Sequence, residues 1–318
     1  MENYSKEIAK EGLGINAIKL NPNNPFQWAS GYRMPIYNDN RMFLAKYVHR
    51  MMVSNGFKDI IQSKNISYDY IAGTSTAGIA PAASIANLLK VPLVIIEEGK
   101  PYVFEQSFTV EINEDFDGIA STCPWAIPFG VSVANEKQLP FMYIRQSKKA
   151  HGLKQQIEGI PLQGQKVLLL DYHRGDSYIE NAIAALEKEG IKVEKTVSED
   201  ISDRVRPNSI EGKNILVIED LISTGGSSAE AVQEVRAVGG VSNHCLSIFN
   251  YGLDKADEAF SSLNPKCNVI SLLTYNALLE VAKEVGYMTD KQIKLLGEWR
   301  ADPFNLGEKH GFPKVEKK

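Results

Sequence analysis

One stretch of fifteen residues, Asn214 to Ser228, restricts the fold more than any other part of this 318-residue chain. Residues 215–218 are four consecutive apolar residues, the pattern of a strand that is buried on both faces of a parallel sheet. Small and polar residues follow directly, and residues 227–230 have the spacing of a capping box that opens a helix. The stretch therefore predicts a strand, a tight turn and a helix, which is the repeating unit of an α/β fold.

The turn of this unit has the composition of a phosphate-binding loop. Glu219 and Asp220 stand at the carboxyl end of the strand, where open α/β sheets bind ligands. Residues 223–227 contain two glycines, which allow successive backbone N–H groups to point at one anion at the start of a helix. No Gly-Lys-Ser/Thr follows and no Gly-x-Gly-x-x-Gly is present, so the loop is neither a P-loop nor a dinucleotide fingerprint. An ordinary strand, turn and helix with a polar turn is the alternative.

Short apolar strands alternate with helical stretches from Tyr68 onward, which predicts a parallel sheet flanked by helices. Part of this pattern is duplicated: residues 69–96 align without a gap with residues 117–144, with ten identical residues. At the same offset, residues 167–171 match residues 215–219 mostly in pattern. We therefore predict a core of partly duplicated strand-helix units over residues 66–274. A small hood is predicted from residues 1–65 and from two helices within residues 275–318, broken near Gly286.

Composition argues against several classes of partner. The net charge of −4 gives no overall reason to bind nucleic acid or a membrane surface. No apolar run reaches about 18 residues and the first residues lack the core of a signal peptide, so a cytoplasmic location is predicted. The three cysteines and five histidines show no metal-ligand spacing, so no metal held directly by the protein is predicted.

A cationic segment follows the apolar run Phe141–Ile144. Its charged or titratable basic residues are Arg145, Lys148, Lys149, His151 and Lys154. The segment contains a glycine and has no helical apolar face, which favours a loop. Such a loop can close over a phosphate, exclude water and strengthen the charge interactions inside. A solvated basic loop is the alternative.

Four segments, in one order along the chain, resemble the orotate phosphoribosyltransferases, a family of type I phosphoribosyltransferases. Residues 214–228 resemble the motif with which these enzymes bind phosphoribosyl pyrophosphate (PRPP), and Arg145-x-x-x-Lys149-x-His151-Gly152 resembles their catalytic loop. Residues 26–41 are similar to the family's substrate-side segment, and residues 298–303 to the end of some members. The resemblance implies a type I phosphoribosyltransferase-like fold. It also implies transfer of the 5-phosphoribosyl group of PRPP to orotate, which gives orotidine 5′-monophosphate and pyrophosphate in pyrimidine (UMP) synthesis.

The resemblance also implies roles for individual residues, with Mg²⁺ bound to PRPP and a homodimer as the assembly. The catalytic residues would be Lys149, Glu219 and Asp220, the two acids holding the ribose hydroxyls and the water shell of Mg²⁺. The orotate contacts would be Ser223 and Tyr37. The PRPP contacts would be Arg145, Lys148, His151, Glu219, Asp220, Ser223, Thr224, Gly225, Gly226, Ser227, Thr74, Ser75 and Thr76.

Two questions stay open at this point. The pyrophosphate loop is either residues 73–78 or their copy, residues 121–126, and the small residues of the first favour it because backbone amides can approach an anion there. Ala29, Gln146 and Ala150 replace residues that are often charged in the family, and the arginine that often reads the pyrimidine is missing after the strand near residue 249. A phosphoribosyltransferase for another nucleobase, or a PRPP-binding paralogue or regulator without catalysis, is therefore kept as the alternative.

Overall fold

The computed structural model describes residues 2–28, 31–105, 112, 114–147, 156–161, 163–203 and 205–315 of the chain. Its helices are α1 (Glu2–Gly14), α2 (Tyr47–Ser63), α3 (Ile79–Leu89), α4 (Ile127–Glu136), α5 (Ile179–Lys188), α6 (Gly226–Ala237), α7 (Asp254–Ser261), α8 (Tyr275–Glu284), α9 (Asp290–Ala301) and α10 (Leu306–Lys309), with a short 3₁₀ helix at Asn40–Ala45. Its strands are β1 (Ile18–Leu20), β2 (Phe26–Gln27), β3 (Arg33–Met34), β4 (Ile36–Asn38), β5 (Tyr70–Gly73), β6 (Leu93–Glu97), β7 (Lys100–Phe104), β8 (Gly118–Thr122), β9 (Phe141–Ile144), β10 (Ile157–Glu158), β11 (Lys166–His173), β12 (Lys192–Asp200), β13 (Ile215–Ile222), β14 (His244–Asn250) and β15 (Asn268–Thr274).

Two separate sheets carry most of these strands. The first has the order β15-β14-β13-β5-β6-β7 and the second has the order β10-β9-β8-β11-β12. Neighbouring strands are parallel in both sheets, except that one edge strand in each, β7 and β10, is antiparallel to its neighbour. The predicted class, parallel α/β with flanking helices, is confirmed, and its strands are divided between two sheets.

Helices α3 and α4 lie between the sheets and fill a central apolar core that both sheets share. Each sheet has a further core on its outer face, where α6 and α7 cover the first sheet and α5 covers the second. In β13, Leu216 and Ile218 face the central core, whereas Ile215 and Val217 face α6 and α7. The unbroken apolar run is thus buried from both sides, as its pattern predicts.

The sequence repeat is also a repeat of structure. In the first copy (residues 69–104 and 214–250) Tyr70 is opposite Ile215, and in the second copy (residues 117–200) the equivalent residues Gly118 and Val167 are opposite each other. β5, α3, β6 and β7 correspond to β8, α4, β9 and β10, and β13 and α6 correspond to β11 and α5. The second copy is therefore inserted between β7 and β13 of the first.

Both ends of the chain meet beside the first sheet. α1 packs against α8 and β15, and α2 packs against α3. Trp299 of α9 is fully buried, with ring centroids 5.4 Å from Tyr275, 6.1 Å from Tyr251 and 6.4 Å from Trp28. The two predicted C-terminal helices are α8 and α9, separated around Gly286, while the division of the chain into three domains stays a prediction. In the part of the chain that the structure describes, no helix is long and apolar enough to cross a membrane.

Candidate active site

The candidate site lies where the carboxyl ends of β5 and β13 meet. These strands are adjacent and parallel, so the loop after β5 stands beside Glu219 and Asp220. Thr74 links the two loops, because its backbone N–H donates to the carbonyl of Ile218 at 3.1 Å and its hydroxyl donates to Glu219 Oε1 at 2.8 Å. The segments 74–76 and 219–227, both predicted from sequence, are therefore together in space.

Close backbone packing explains two glycines of the loop after β5. A Cβ on Gly73 would lie 2.7 Å from the Cα of Ile79, and a Cβ on Gly78 would lie 2.7 Å from the carbonyl oxygen of Ile218. A larger residue at Gly73 would collide with the start of α3, and one at Gly78 would collide with β13. Between the two glycines, Ser75 is exposed and Thr76 is half-buried. The loop therefore packs closely against β13, and the hydroxyl of Thr74 reaches Glu219.

The loop after β13 ends in an open helix N-terminus. Gly225 adopts φ 75° and is the N-cap of α6, without a side-chain cap. The predicted capping box at Ser227 is therefore wrong, because the helix starts two residues earlier. The first N–H groups of a helix have no partner within it, and their partial positive charge attracts anions. Thr224, Gly226 and Ser227 are exposed here, and Ser223 is half-buried. This geometry suits a phosphate held by the backbone.

Glu219 and Asp220 occupy different environments. Glu219 is buried, and its carboxylate accepts hydrogen bonds from Thr74, from Ser228 Oγ at 2.7 Å and from the backbone N–H of Asp220 at 2.9 Å. Asp220 is half-buried, and burial together with the charge of Glu219 raises the pKa of its carboxyl well above the ordinary value. Glu219 therefore ties the two loops together, and Asp220 is the acid that a bound cation would ionise.

The N-terminal segment places a cation beside this pair. Asn40 Nδ2 donates to the backbone carbonyl of Asp220 at 2.6 Å, which fixes the 3₁₀ helix against the end of β13. Arg41 lines the same small cleft as Asp220, and its guanidinium makes two hydrogen bonds to Asp39, at 2.5 and 2.7 Å. Burial alone would lower the pKa of Arg41, but the hydrogen bond and charge of Asp39 raise it, so the guanidinium stays charged.

A second arginine approaches from the second copy. Glu158 of β10 is buried and forms ion pairs with both Arg41 and Arg145, accepting from Arg145 Nε at 2.6 Å. Arg145 lies at the base of the predicted cationic loop, 6.0 Å from the ring centroid of the buried Tyr143. Opposite charges therefore alternate from Asp39 to Arg145 along one side of the site. The other predicted loop residues, Lys148, Lys149 and His151, lie outside the described residues.

Aromatic side chains form another wall. Tyr251 is buried beside β14, with its ring centroid 5.3 Å from that of Trp28, and burial is the main cause that raises its pKa. Tyr37, the predicted orotate contact, is half-buried, and burial together with the charge of Asp39 raises the pKa of its hydroxyl. Tyr37 thus stands between the charged row and the aromatic residues.

Sequence reasoning assigned no role to Asn40, Arg41 or Glu158. All three lie in or beside segments that resemble the family, and a run of Asp, Asn and Arg so close to a predicted substrate segment was a usable signal. Their importance comes from contacts between parts of the chain that are far apart in sequence, which no local pattern reveals.

The second copy has an equivalent strand end with different contents. Thr122 Oγ1 donates to Asp171 Oδ1 at 2.6 Å, the counterpart of the bond between Thr74 and Glu219. Ser177 and Ser198 also donate to Asp171, at 2.5 and 2.9 Å. Tyr172 stands at the position of Asp220. This strand end therefore keeps the buried acid and has lost the second one.

Aromatic rings occupy the space beside Asp171. Trp125 is buried with its ring centroid 5.0 Å from that of Tyr102, and Tyr172 stacks on Phe129 at 4.1 Å. Arg174 lies over the Tyr102 ring at 4.0 Å. Of the two candidate pyrophosphate loops, the structure puts residues 74–76 beside the acid pair and puts residues 121–126 on the other sheet, packed among these rings.

Known proteins with similar sequences cover almost the whole chain. The orotate phosphoribosyltransferase of Streptococcus agalactiae serotype Ia is 31% identical over 301 residues, which cover 95% of this chain and 97% of that protein. The orotate phosphoribosyltransferase of Staphylococcus aureus strain Mu50 is 30% identical over 296 residues, which cover 93% of this chain and 98% of that protein. No family model matches the chain.

A solved structure shares the fold. The UMP synthase of Leishmania donovani matches with a TM-score of 0.50 and 16% identity, over 93% of this chain and 42% of that chain. The fold and the sequence relatives agree with the resemblance that the individual motifs indicated. With about 30% identity to curated relatives over nearly its full length, the chain belongs to the orotate phosphoribosyltransferase family.

Proposed function

We propose that the protein transfers the 5-phosphoribosyl group of PRPP to orotate and releases orotidine 5′-monophosphate and pyrophosphate, a step of pyrimidine (UMP) synthesis. The observation that carries the proposal is the hydrogen bond between Thr74 and Glu219, which joins the two loops that we propose bind the phosphates. PRPP carries phosphates on C1 and C5 of one ribose. A site for it needs two such loops with acids for the ribose hydroxyls between them, and this is the arrangement around Glu219 and Asp220.

The loop after β13 is proposed to bind the 5′-phosphate. Its support is the start of α6, where Gly225 and Gly226 leave the first N–H groups of the helix open to an anion. The hydroxyls of Ser223, Thr224 and Ser227 add donors around the same point. A phosphate here is bound mainly by the backbone, so the affinity depends on the loop's conformation more than on any one side chain.

Asp220 and Glu219 are proposed to serve the ribose and the metal. In phosphate sites Mg²⁺ keeps several of its waters, so a half-buried Asp220 suits a contact with the water shell of a Mg²⁺ ion that arrives with PRPP. The negative charge of the pair also stabilises the ribose ring, which becomes cationic as its bond to pyrophosphate breaks. The raised pKa of Asp220 is consistent with a carboxyl that ionises when a cation binds beside it.

Pyrophosphate is proposed to leave between the loop after β5 and the cationic loop. Thr74, Ser75 and Thr76 lie on one side, and the predicted cations of the other side are Arg145, Lys148, Lys149 and His151. Lys149 is proposed as the principal catalytic cation, because charge stabilisation counts most when it acts in the transition state. The placement of the cationic loop at this site is supported by Glu158, which binds Arg145 at the base of the loop.

Ser223 and Tyr37 are proposed as the orotate contacts. Tyr37 stands next to the charged row, and the buried rings of Trp28 and Tyr251 offer an apolar surface nearby. Contacts of this kind suit any planar base, so base specificity has to be measured. The proposal also includes a cytoplasmic location, small-molecule substrates as the binding partners, and the homodimer that the family resemblance implies.

Steady-state turnover with PRPP and each of orotate, adenine, guanine and uracil tests the proposal. We expect orotate to give the highest kcat/KM, and chelation of Mg²⁺ to stop the reaction. Turnover with another base and none with orotate would show that the other base is the substrate. Calorimetric binding of PRPP without turnover of any base would identify a non-catalytic paralogue.

A further inference from the structure

The two copies contact each other reciprocally. Asn87 Nδ2 of α3 donates to Ser132 Oγ of α4 at 2.8 Å, and Asn135 Nδ2 of α4 donates to Ser84 Oγ of α3 at 3.0 Å. Residues 84 and 87 correspond to residues 132 and 135 in the repeat, so the two bonds exchange under a two-fold rotation. This is the contact pattern of a symmetric dimer, in which residue i meets j and j meets i. Here it is formed within one chain.

The second copy contributes to the site of the first. Glu158 and Arg145 both belong to the second copy and pair with each other, and Glu158 also pairs with Arg41, which lines the same cleft as Asp220. The site of the first copy therefore has its charged row completed by residues of the second. A second chain cannot pair through the same face of α3, because α4 already covers it.

The equivalent strand end of the second copy, beside Asp171, is not completed in the same way by residues of the first copy. Glu97 stands at the position that corresponds to Arg145, so the cation is replaced by an acid. Tyr102 pairs with Ile95, and Glu158 pairs with Tyr143, which is the repeat equivalent of Ile95. Tyr102 therefore corresponds to Glu158, and an aromatic ring replaces the carboxylate that bridges the two arginines. That ring lies against Trp125 and Arg174 at the end of β11. The internal two-fold therefore joins one open site to one filled site.

We infer that the second copy acts as a built-in partner subunit, so that one chain holds one complete phosphoribosyl-transfer site and needs no second chain to complete it. The inference rests on the proposed function for the chemistry of the site, and on the reciprocal contacts and the bridge from Glu158 for its assembly. A homodimer, where one forms, uses another surface and shares no site residues.

Mixing two inactive variants tests this inference. Arg145→Ala removes a cation of the second copy and Asp220→Asn removes an acid of the first, and each should lower turnover at least tenfold. If the site is completed within one chain, co-expression of the two variants gives only the average of their separate activities. If sites are shared between chains, a mixed dimer regains one intact site and activity rises above that average, which would overturn the inference. Full activity of Arg145→Ala would overturn it too.

A matched variant and a dilution series complete the experiment. Glu97→Ala, at the position that corresponds to Arg145, should keep the wild-type kcat because it faces the filled site. Specific activity should stay constant on dilution while sedimentation shows a single chain, and loss of activity as a dimer dissociates would contradict the inference. If wild-type protein shows no turnover with any base, the proposed function fails. The mixing and dilution experiments then measure PRPP affinity by calorimetry in place of turnover.

Discussion

The strand ends of the two copies have the same backbone and different side chains. At the end of β13, Asp220 borders a cleft and an uncapped helix start, while at the end of β11 Tyr172 stacks on Phe129. Both ends keep a threonine that donates to a buried acid, Thr74 in the first and Thr122 in the second. The bond between threonine and acid is therefore part of the scaffold. What separates a candidate catalytic site from a packed core is the residue after the acid and the size of the neighbouring loop residues.

The connections that follow the equivalent strands β6 and β9 also differ between the two copies. Residues 145–156 separate β9 from β10, whereas only Glu98 and Gly99 separate β6 from β7. The long one accompanies the open site and the short one accompanies the filled site. Duplication has thus given two connections: a long one that begins with Arg145, and a two-residue turn whose residues are exposed.

The largest expected effect comes from the acids. Asp220→Asn combined with Glu219→Gln should lower turnover by at least roughly 10³-fold, since two charged groups at the reacting ribose are lost. Asp171→Asn is the matched change in the second copy. It should keep the wild-type kcat and cost about 1–3 kcal/mol of stability, because a buried acceptor of three hydrogen bonds is altered. Steady-state kinetics and chemical denaturation measure the two. A catalytic defect in Asp171→Asn would show that both strand ends act in catalysis.

Next come the loop cations. Lys149→Ala should lower kcat by roughly 10²- to 10³-fold with a smaller effect on PRPP affinity, because the charge acts mainly as pyrophosphate departs. Lys100→Ala, beside the short turn between β6 and β7, is the control and should be silent. Kinetics over a range of PRPP concentrations separates kcat from KM. A change in KM alone for Lys149→Ala would mean that this lysine binds ground-state phosphate only.

A smaller effect is expected at the two equivalent loops. Ser75→Leu should weaken pyrophosphate binding by at least roughly tenfold, or about 1.4 kcal/mol, and leave the melting temperature near that of the wild type, because Ser75 is exposed. Trp125→Leu should keep the affinity and lose about 2–3 kcal/mol of stability, because a buried ring is removed. Calorimetry with pyrophosphate and thermal melts decide. The reverse result would assign pyrophosphate binding to residues 121–126.

The smallest effect concerns pH. The pKa of Asp220 is raised by burial and by Glu219, and a carboxyl whose pKa is higher in the folded state loses its contribution to stability as pH rises through that value. Asp220→Asn should therefore melt above the wild type at pH 8, and the difference should shrink as pH falls toward 5. Asp171→Asn should melt below the wild type at both values. A pH-independent difference for Asp220→Asn would mean that Asp220 is not the group responsible.

Local features of the fold were predictable from sequence and distant contacts were not. The strand at 215–218, the turn after it and the helix that follows depend on residues within one unit, so the pattern was sufficient to predict them. The capping box failed because Gly225, in a left-handed conformation, starts the helix before Ser227 can cap it. The division into two sheets and the bridge from Arg41 through Glu158 to Arg145 depend on how the repeat folds back on itself. Sequence showed that a repeat exists, but the reciprocal packing of α3 on α4 required the structure.

The insertion of one copy inside the other also affects how the chain is made. β5 occupies the middle of the first sheet, yet its partner β13 is translated much later, with 144 residues between Thr74 and Ile218. At about 5–20 residues per second, the ribosome leaves one edge of β5 unpaired for roughly 7–30 seconds. An unpaired apolar strand edge invites pairing with other chains, and such distant pairing folds slowly. The second copy (residues 117–200) is translated within that interval, so α4 can pack against α3 before β13 closes the first sheet.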